Sequence, residues 1–143
     1  MTNINAVKEL VGKTFYNAII GEYPNAFLDY SKIKITKGSL QLPTDISSFV
    51  EVESGKIVFT WNPIPLYPQL PGNLTDSVNI VCFNEKYPKD VIYFNGYKRS
   101  EGKATIELPQ NWDSSETHIW IYLNSWDLQE NSDSVYKMIF CEY

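Results

Sequence analysis

The sequence predicts a mainly-β domain, an antiparallel β-sandwich of about seven strands, and three observations carry that prediction. The first is strict alternation in Lys56-Ile-Val-Phe-Thr-Trp61, where Ile57, Phe59 and Trp61 share one parity and Val58 and Thr60 the other. Successive side chains leave opposite faces of a strand, so this hexapeptide has one face of large apolar groups that only a second layer can bury. The second is a series of further apolar runs separated by turn residues. The third is an aromatic content of 15%, with ten Tyr and four Trp, a composition suited to strands.

At 143 residues the chain is one domain, 1–143, long enough to bury roughly 70% of its unfolded surface without staples. Residues 3–20 read as an N-terminal helix, because Ile4, Val7, Val11, Phe15 and Ile19 recur at three- and four-residue spacing, before Gly21 and Pro24 stop it. The β-sandwich occupies 27–143. Its first strand is expected within 31–42, clearest at Lys32-Ile-Lys-Ile-Thr-Lys37, with Ile33 and Ile35 inward, the lysines outward as on an edge strand, and Gly38 at a bulge. A linker through Pro43, Ser47 and Ser48 leads to 49–53, and Ser54-Gly55 turns the chain into the central strand, 56–61.

Four prolines between Pro63 and Pro71 exclude a central strand there and impose a stiff connection. Strands follow at 77–83, 91–94, 103–108, 117–123 and 134–141, with Asn95-Gly96 read as a turn. The spacing is that of an immunoglobulin-like or fibronectin-III-like sandwich, and the order of runs resembles fibronectin type III: a Trp ends the second strand and prolines follow it. The strand at 117–123 is apolar on both faces, Ile119, Ile121 and Leu123 against His118, Trp120 and Tyr122. A strand apolar on both faces is covered on both. The helix is therefore expected to lie across the outer face, touching Trp120 or Tyr122, with a partner molecule as the other way of covering it.

Composition excludes several functions. A net charge of −5 and a single arginine, Arg99, leave no basic cluster for nucleic acid or an anionic membrane. Cys82 and Cys141 fall on non-neighbouring strands and are expected as buried free thiols. No signal segment or membrane-spanning run is present, so a cytoplasmic or virion-associated setting is expected.

Tyr16-Asn-Ala-Ile-Ile-Gly-Glu-Tyr-Pro24, Leu28-Asp-Tyr-Ser-Lys-Ile33, Thr36-Lys-Gly-Ser-Leu40, Gly55–Trp61, Tyr97–Pro109 and Asn131-Ser-Asp-Ser-Val-Tyr136 resemble, in order and spacing, a family of uncharacterised bacterial and bacteriophage proteins catalogued as a domain of unknown function. The resemblance spans nearly the whole chain. It implies a small β-rich domain with no catalytic residues to carry over. It also implies a Gly-rich basic segment ahead of the helix, which this sequence lacks, as in a truncated, processed or short member. The proline-rich stretch departs from the shorter polar loop usual in that family.

No chemistry-bearing motif stands out. His118 is the sole histidine and has no nucleophile elbow to serve, so no catalytic residue is assigned. Asp127, Glu130 and Asp133 lack the Gly and the dense alternation of a calcium loop; no metal and no cofactor is expected. Asn73-Leu-Thr75 is a glycosylation sequon, and Pro65–Pro68 and Pro68–Pro71 match PxxP without a flanking arginine.

Topology is more informative. In such sandwiches the connections after the second, fourth and sixth strands share one end, where antibody domains carry their binding loops. Here they carry Tyr67, then Tyr97 and Arg99, then Trp126 and Asp127, which are the expected ligand-binding residues. Trp112 lies at the other end and is expected to plug the core. The expected function is a non-enzymatic interaction or assembly module that binds a protein partner, as a phage or cell-surface component or as a homo-oligomer. A carbohydrate-binding module is the main alternative and a small hydrolase a distant one.

Overall fold

A computed structural model describes residues 30–51 and 53–138; the expected helix at 3–20 and Cys141 lie outside the described residues. The described part is mainly β, seven strands in two antiparallel sheets: β1 (Thr44–Val50), β2 (Ile57–Asn62), β3 (Ser77–Asn84), β4 (Ile92–Lys98), β5 (Lys103–Ile106), β6 (Thr117–Asn124) and β7 (Val135–Met138). One sheet has the order β1-β2-β5 and the other β4-β3-β6-β7. Among the described residues no helix is long and apolar enough to cross a membrane.

The alternation in β2 has the consequence expected of it. Ile57, Phe59 and Trp61, with Ala104 and Ile106 of β5, meet Val78, Ile80 and Cys82 of β3 and Ile119, Ile121 and Leu123 of β6 in one buried core. Leu40 joins that core, as does Trp112, which is buried. The two sheets are also tied at their margins. Tyr97 Oη of β4 donates to the Thr105 carbonyl of β5 at 2.9 Å, and Lys137 Nζ of β7 donates to the Ile46 carbonyl of β1 at 2.8 Å.

The first strand is a correction. Residues 31–42 form no strand, and the sheet position expected for them belongs to 44–50. Between Lys34 and Leu40 the hydrogen bonds run to the β6–β7 connection, several through side chains, so no regular ladder forms. Ile35 N–H donates to Ser134 Oγ, Thr36 Oγ1 to the Ser132 carbonyl, Gly38 N–H to Asp133 Oδ1 and Leu40 N–H to the Asn131 carbonyl. Gly38 is not a strand bulge: a Cβ there would overlap the Asn131 backbone. The polar run Thr-Asp-Ile-Ser-Ser-Phe-Val alternates between half-buried and exposed as an edge strand does, and the Ser54-Gly55 turn feeds β2 as expected, with Gly55 at φ 70°.

Asn95-Gly96 is also not a turn. Val78 pairs with Tyr97 and Ile80 with Phe94, so two residues oppose Asn79 in a β-bulge. Gly96 accommodates the bulge at φ 94°, and β4 continues to Lys98.

The outer face of the four-stranded sheet is buried by the chain itself. Tyr30, Ile35, Val81, Phe83, Trp120 and Tyr122 form a second cluster, Trp120 Nε1 donates to the Ile33 carbonyl at 3.0 Å, and Trp120 and Tyr122 are both 0% exposed.

Candidate functional site

Three connections meet at one end. Ser77, which opens β3, pairs with Lys98 at the end of β4 and with Asn124 at the end of β6, while Trp61 N–H donates to the Gly102 carbonyl at 3.1 Å. Residues 63–76, 99–102 and 125–134 therefore crowd a single tip.

Arg99 and Gln41 hold this tip together. The Arg99 guanidinium is fully buried and donates to Asp76 Oδ2 at 3.2 Å and to the Gln41 carbonyl. Its backbone N–H donates to the Asp76 carbonyl at 2.9 Å, and its own carbonyl accepts the Trp61 indole N–H at 2.8 Å. Desolvation draws the guanidinium below its ordinary value and Asp76 opposes the shift; an arginine stays protonated regardless. Gln41 binds the proline-rich connection. Its amide donates to the Tyr67 and Leu70 carbonyls at 2.9 and 3.0 Å, its side-chain oxygen accepts the Tyr67 N–H, and its backbone N–H reaches the Pro71 carbonyl. Ring constraints and these bonds fix residues 63–72 as a rigid rim.

The five expected binding residues divide. Tyr67 and Trp126 are exposed, at 53% and 72%, and Asp127 is exposed beside Trp126. Arg99 is a correction: a buried cation paired with Asp76 is the tip's internal brace and does not face solvent. Tyr97 is a second correction, because the bulge at Gly96 places it in β4, half-buried, with its hydroxyl bound to Thr105. Gln41 and Asp76 were missed. The one signal that pointed to them was a lone arginine in an acidic chain, which needs a buried acceptor if it does not face solvent.

The exposed apolar surface is concentrated here. The exposed large hydrophobic residues among those described are Phe49, Ile64, Leu66, Tyr67, Leu70, Leu74 and Trp126, and all but Phe49 lie on the tip. Between the rim and the β6–β7 connection is a depression of about 330 Å³ that includes Asn73, Trp126, Asp127, Gln129 and Glu130. A cavity of similar size, about 340 Å³, opens at the other end over Val50, Ile57, Leu108 and Trp112, and has no exposed large aromatic on it.

Elsewhere His118, Cys82 and Asp133 are packed or paired within the fold. His118 is buried under the stacked ring of Tyr30, centroids 3.7 Å apart, with Nδ1 at 2.6 Å from Tyr136 Oη and Nε2 at 3.6 Å from Glu85. Cys82 points into the inter-sheet core from the other face of β3, and full burial raises its thiol pKa, which keeps it a protonated apolar filler. The three acids of the β6–β7 connection do not converge: Asp133 pairs with Lys34 at 3.0 Å, whereas Asp127 accepts from Ser125 Oγ within its own loop.

The fold and its tip define a small antiparallel β-sandwich protein that gathers three connections at one end, where the exposed apolar residues of 63–76 and Trp126 stand on a braced tip. The chain belongs to the family of unknown function DUF6266, which matches residues 1–138. No curated protein and no solved structure matches it.

Proposed function

We propose that this domain is a non-enzymatic interaction module that contacts a protein partner through the tip. The observation that carries the reading is the segregation of exposed apolar side chains: six of the seven among the described residues lie on connections at one end. A contiguous apolar patch with a polar surround is costly in water and marks a contact surface. The rim is stiffened by prolines and by Gln41, so little ordering cost accompanies binding. The partition into β1-β2-β5 and β4-β3-β6-β7 supports a fibronectin-III-like arrangement, in which such a tip is a customary place for recognition. The sequence resemblance supports a bacterial or phage origin, with the module in the cytoplasm or on a virion, as a structural component or a homo-oligomer.

The test compares wild type with the triple variant Leu66→Ser, Tyr67→Ser, Leu70→Ser, by light scattering for self-association and by quantitative pull-down for other proteins. We expect one of these associations in wild type and its loss in the variant, with thermal unfolding unchanged. Equal association by both proteins, or none by either, would overturn the reading.

A further inference from the structure

We propose that the depression beside Trp126 is a saccharide-binding site selective for neutral sugar rings. The indole is 72% exposed, yet it stands on a loop that is closed and braced from within. Ser125 N–H donates to the Glu130 carbonyl at 2.9 Å, Leu128 N–H to the Ser125 carbonyl at 2.9 Å, Ser125 Oγ to Asp127 Oδ1 at 2.6 Å, and Glu130 N–H to Ser125 Oγ at 3.1 Å. These bonds brace the loop on both sides of the indole, so the ordering cost of seating a flat apolar face on it is confined to the two χ angles of the Trp126 side chain.

The lining specifies what that face belongs to. The volume of about 330 Å³ falls at the lower end of the ~300–1,000 Å³ typical of small-molecule sites. Around it stand two amides, Asn73 and Gln129, and three carboxylates, Asp76, Asp127 and Glu130, of which Asp76 is paired with Arg99. Asn73 Oδ1 already accepts from Thr75 N–H and Oγ1, at 3.1 Å each, which leaves its NH₂ group as a donor. Asp127 Oδ1 is likewise taken by Ser125 and Gln129 N–H, which leaves Oδ2 as an acceptor. Donors and acceptors interleaved beside an aromatic plane match a pyranose, which has C–H groups on one face and hydroxyls that both give and accept hydrogen bonds around its edge.

Charge narrows the class. The chain's one guanidinium, Arg99, is buried and paired with Asp76, so it does not offset Asp127 and Glu130. Uronic acids and sulfated or phosphorylated sugars are repelled, and neutral rings are admitted. This site does not rest on the apolar rim at Leu66, Tyr67 and Leu70, and its test leaves those residues intact.

The test titrates the full chain with neutral oligomers of glucose, mannose and N-acetylglucosamine, with oligogalacturonate, and with the peptide acetyl-Gly-Arg-Gly-amide. Binding is followed by calorimetry and by tryptophan emission. Trp61, Trp112 and Trp120 are buried, so emission changes report chiefly on Trp126. We expect binding of at least one neutral oligomer with a blue shift, none of the galacturonate, and affinity weaker by about tenfold or more in Trp126→Ala, the loss typical of an aromatic anchor. Asp127→Asn is expected to weaken neutral-sugar binding while leaving thermal unfolding near wild type. Three outcomes would overturn the proposal: no neutral oligomer bound, binding undiminished in Trp126→Ala, or the arginine peptide bound more tightly than any sugar, which would make the depression a cation site.

Discussion

Arg99 and Asp76 form an ion pair 3.2 Å apart with side chains 0% and 1% exposed, and it joins the 63–76 connection to the 99–102 connection. Taking both charges out of water is expensive, and further bonds offset part of that cost: the Gln41 carbonyl on the guanidinium, and the Asn73 N–H on Asp76 Oδ2 at 2.8 Å, while the guanidinium Nε is buried without a hydrogen-bond partner. Removing one partner leaves the other buried and uncompensated. Arg99→Met is therefore expected to lower unfolding free energy by about 3–5 kcal/mol in urea titration. The double variant Arg99→Met, Asp76→Leu is expected to recover part of that loss. A single variant within 1 kcal/mol of wild type, by the usual measure of an exposed ion pair, would show that the pair is solvated in solution.

Gly38 is expected to be nearly as sensitive, for a steric reason. A side chain there meets the Asn131 carbonyl and its carbon, which are backbone atoms with no rotamer to yield. Gly38→Ala should destabilise by about 1–3 kcal/mol, the usual cost of overpacking. The displaced segment should also expose the amides of Leu40 and Gln41, so hydrogen exchange at those two positions is the direct readout. Unchanged protection there would contradict the close approach.

The sheets were legible from period-two alternation because burial imposes that period directly: β2, β3, β5 and β6 lie within one or two residues of expectation. The errors fall where hydrogen bonding decides and hydrophobicity does not. Residues 32–37 alternate like a strand, but their partners in 131–134 are the Asp133 carboxylate, the Ser134 hydroxyl and the Ser132 carbonyl, which no pattern of apolar residues reveals. Asn95-Gly96 has the composition of a hairpin turn, and only pairing with β3 distinguishes a bulge from a turn. That one distinction moved Tyr97 off the tip. Trp126 was placed on the correct loop by topology, but its exposure depends on Ser125 holding the loop closed, a local bond pattern that alternation does not encode.

Tyr97 and Tyr67 should then separate stability from recognition. Tyr97→Phe removes a single hydrogen bond between sheets, with an expected cost of about 0.5–1.5 kcal/mol and no change in partner association. Tyr67→Ser removes an exposed ring whose backbone is held independently by Gln41, so association should fall while the midpoint in urea stays put. Paired denaturation and pull-down measurements check both halves, and the opposite assignment would return Tyr97 to the recognition surface.

His118 gives the chain a pH dependence whose sign follows from its surroundings. Burial lowers the imidazole below its ordinary value, and the Glu85 carboxylate at 3.6 Å pulls the other way. The groups facing the ring are the stacked Tyr30, the Tyr136 hydroxyl, Trp120 and Glu85. Because the folded chain binds this proton less readily than the unfolded chain, the unfolded state carries more protons between the folded value and about 6.5, and stability rises with pH across that window. The His118 contribution is complete above about 6.5 and is lost as pH falls below it. Isothermal urea titrations at pH 7.5 and pH 5 should show the loss in wild type and a smaller one in His118→Gln. Glu85→Gln removes the one opposing charge, so its loss on acidification should exceed that of wild type. A Glu85→Gln protein less sensitive to acid than wild type would mean that His118 is protonated in the folded state, held by that carboxylate.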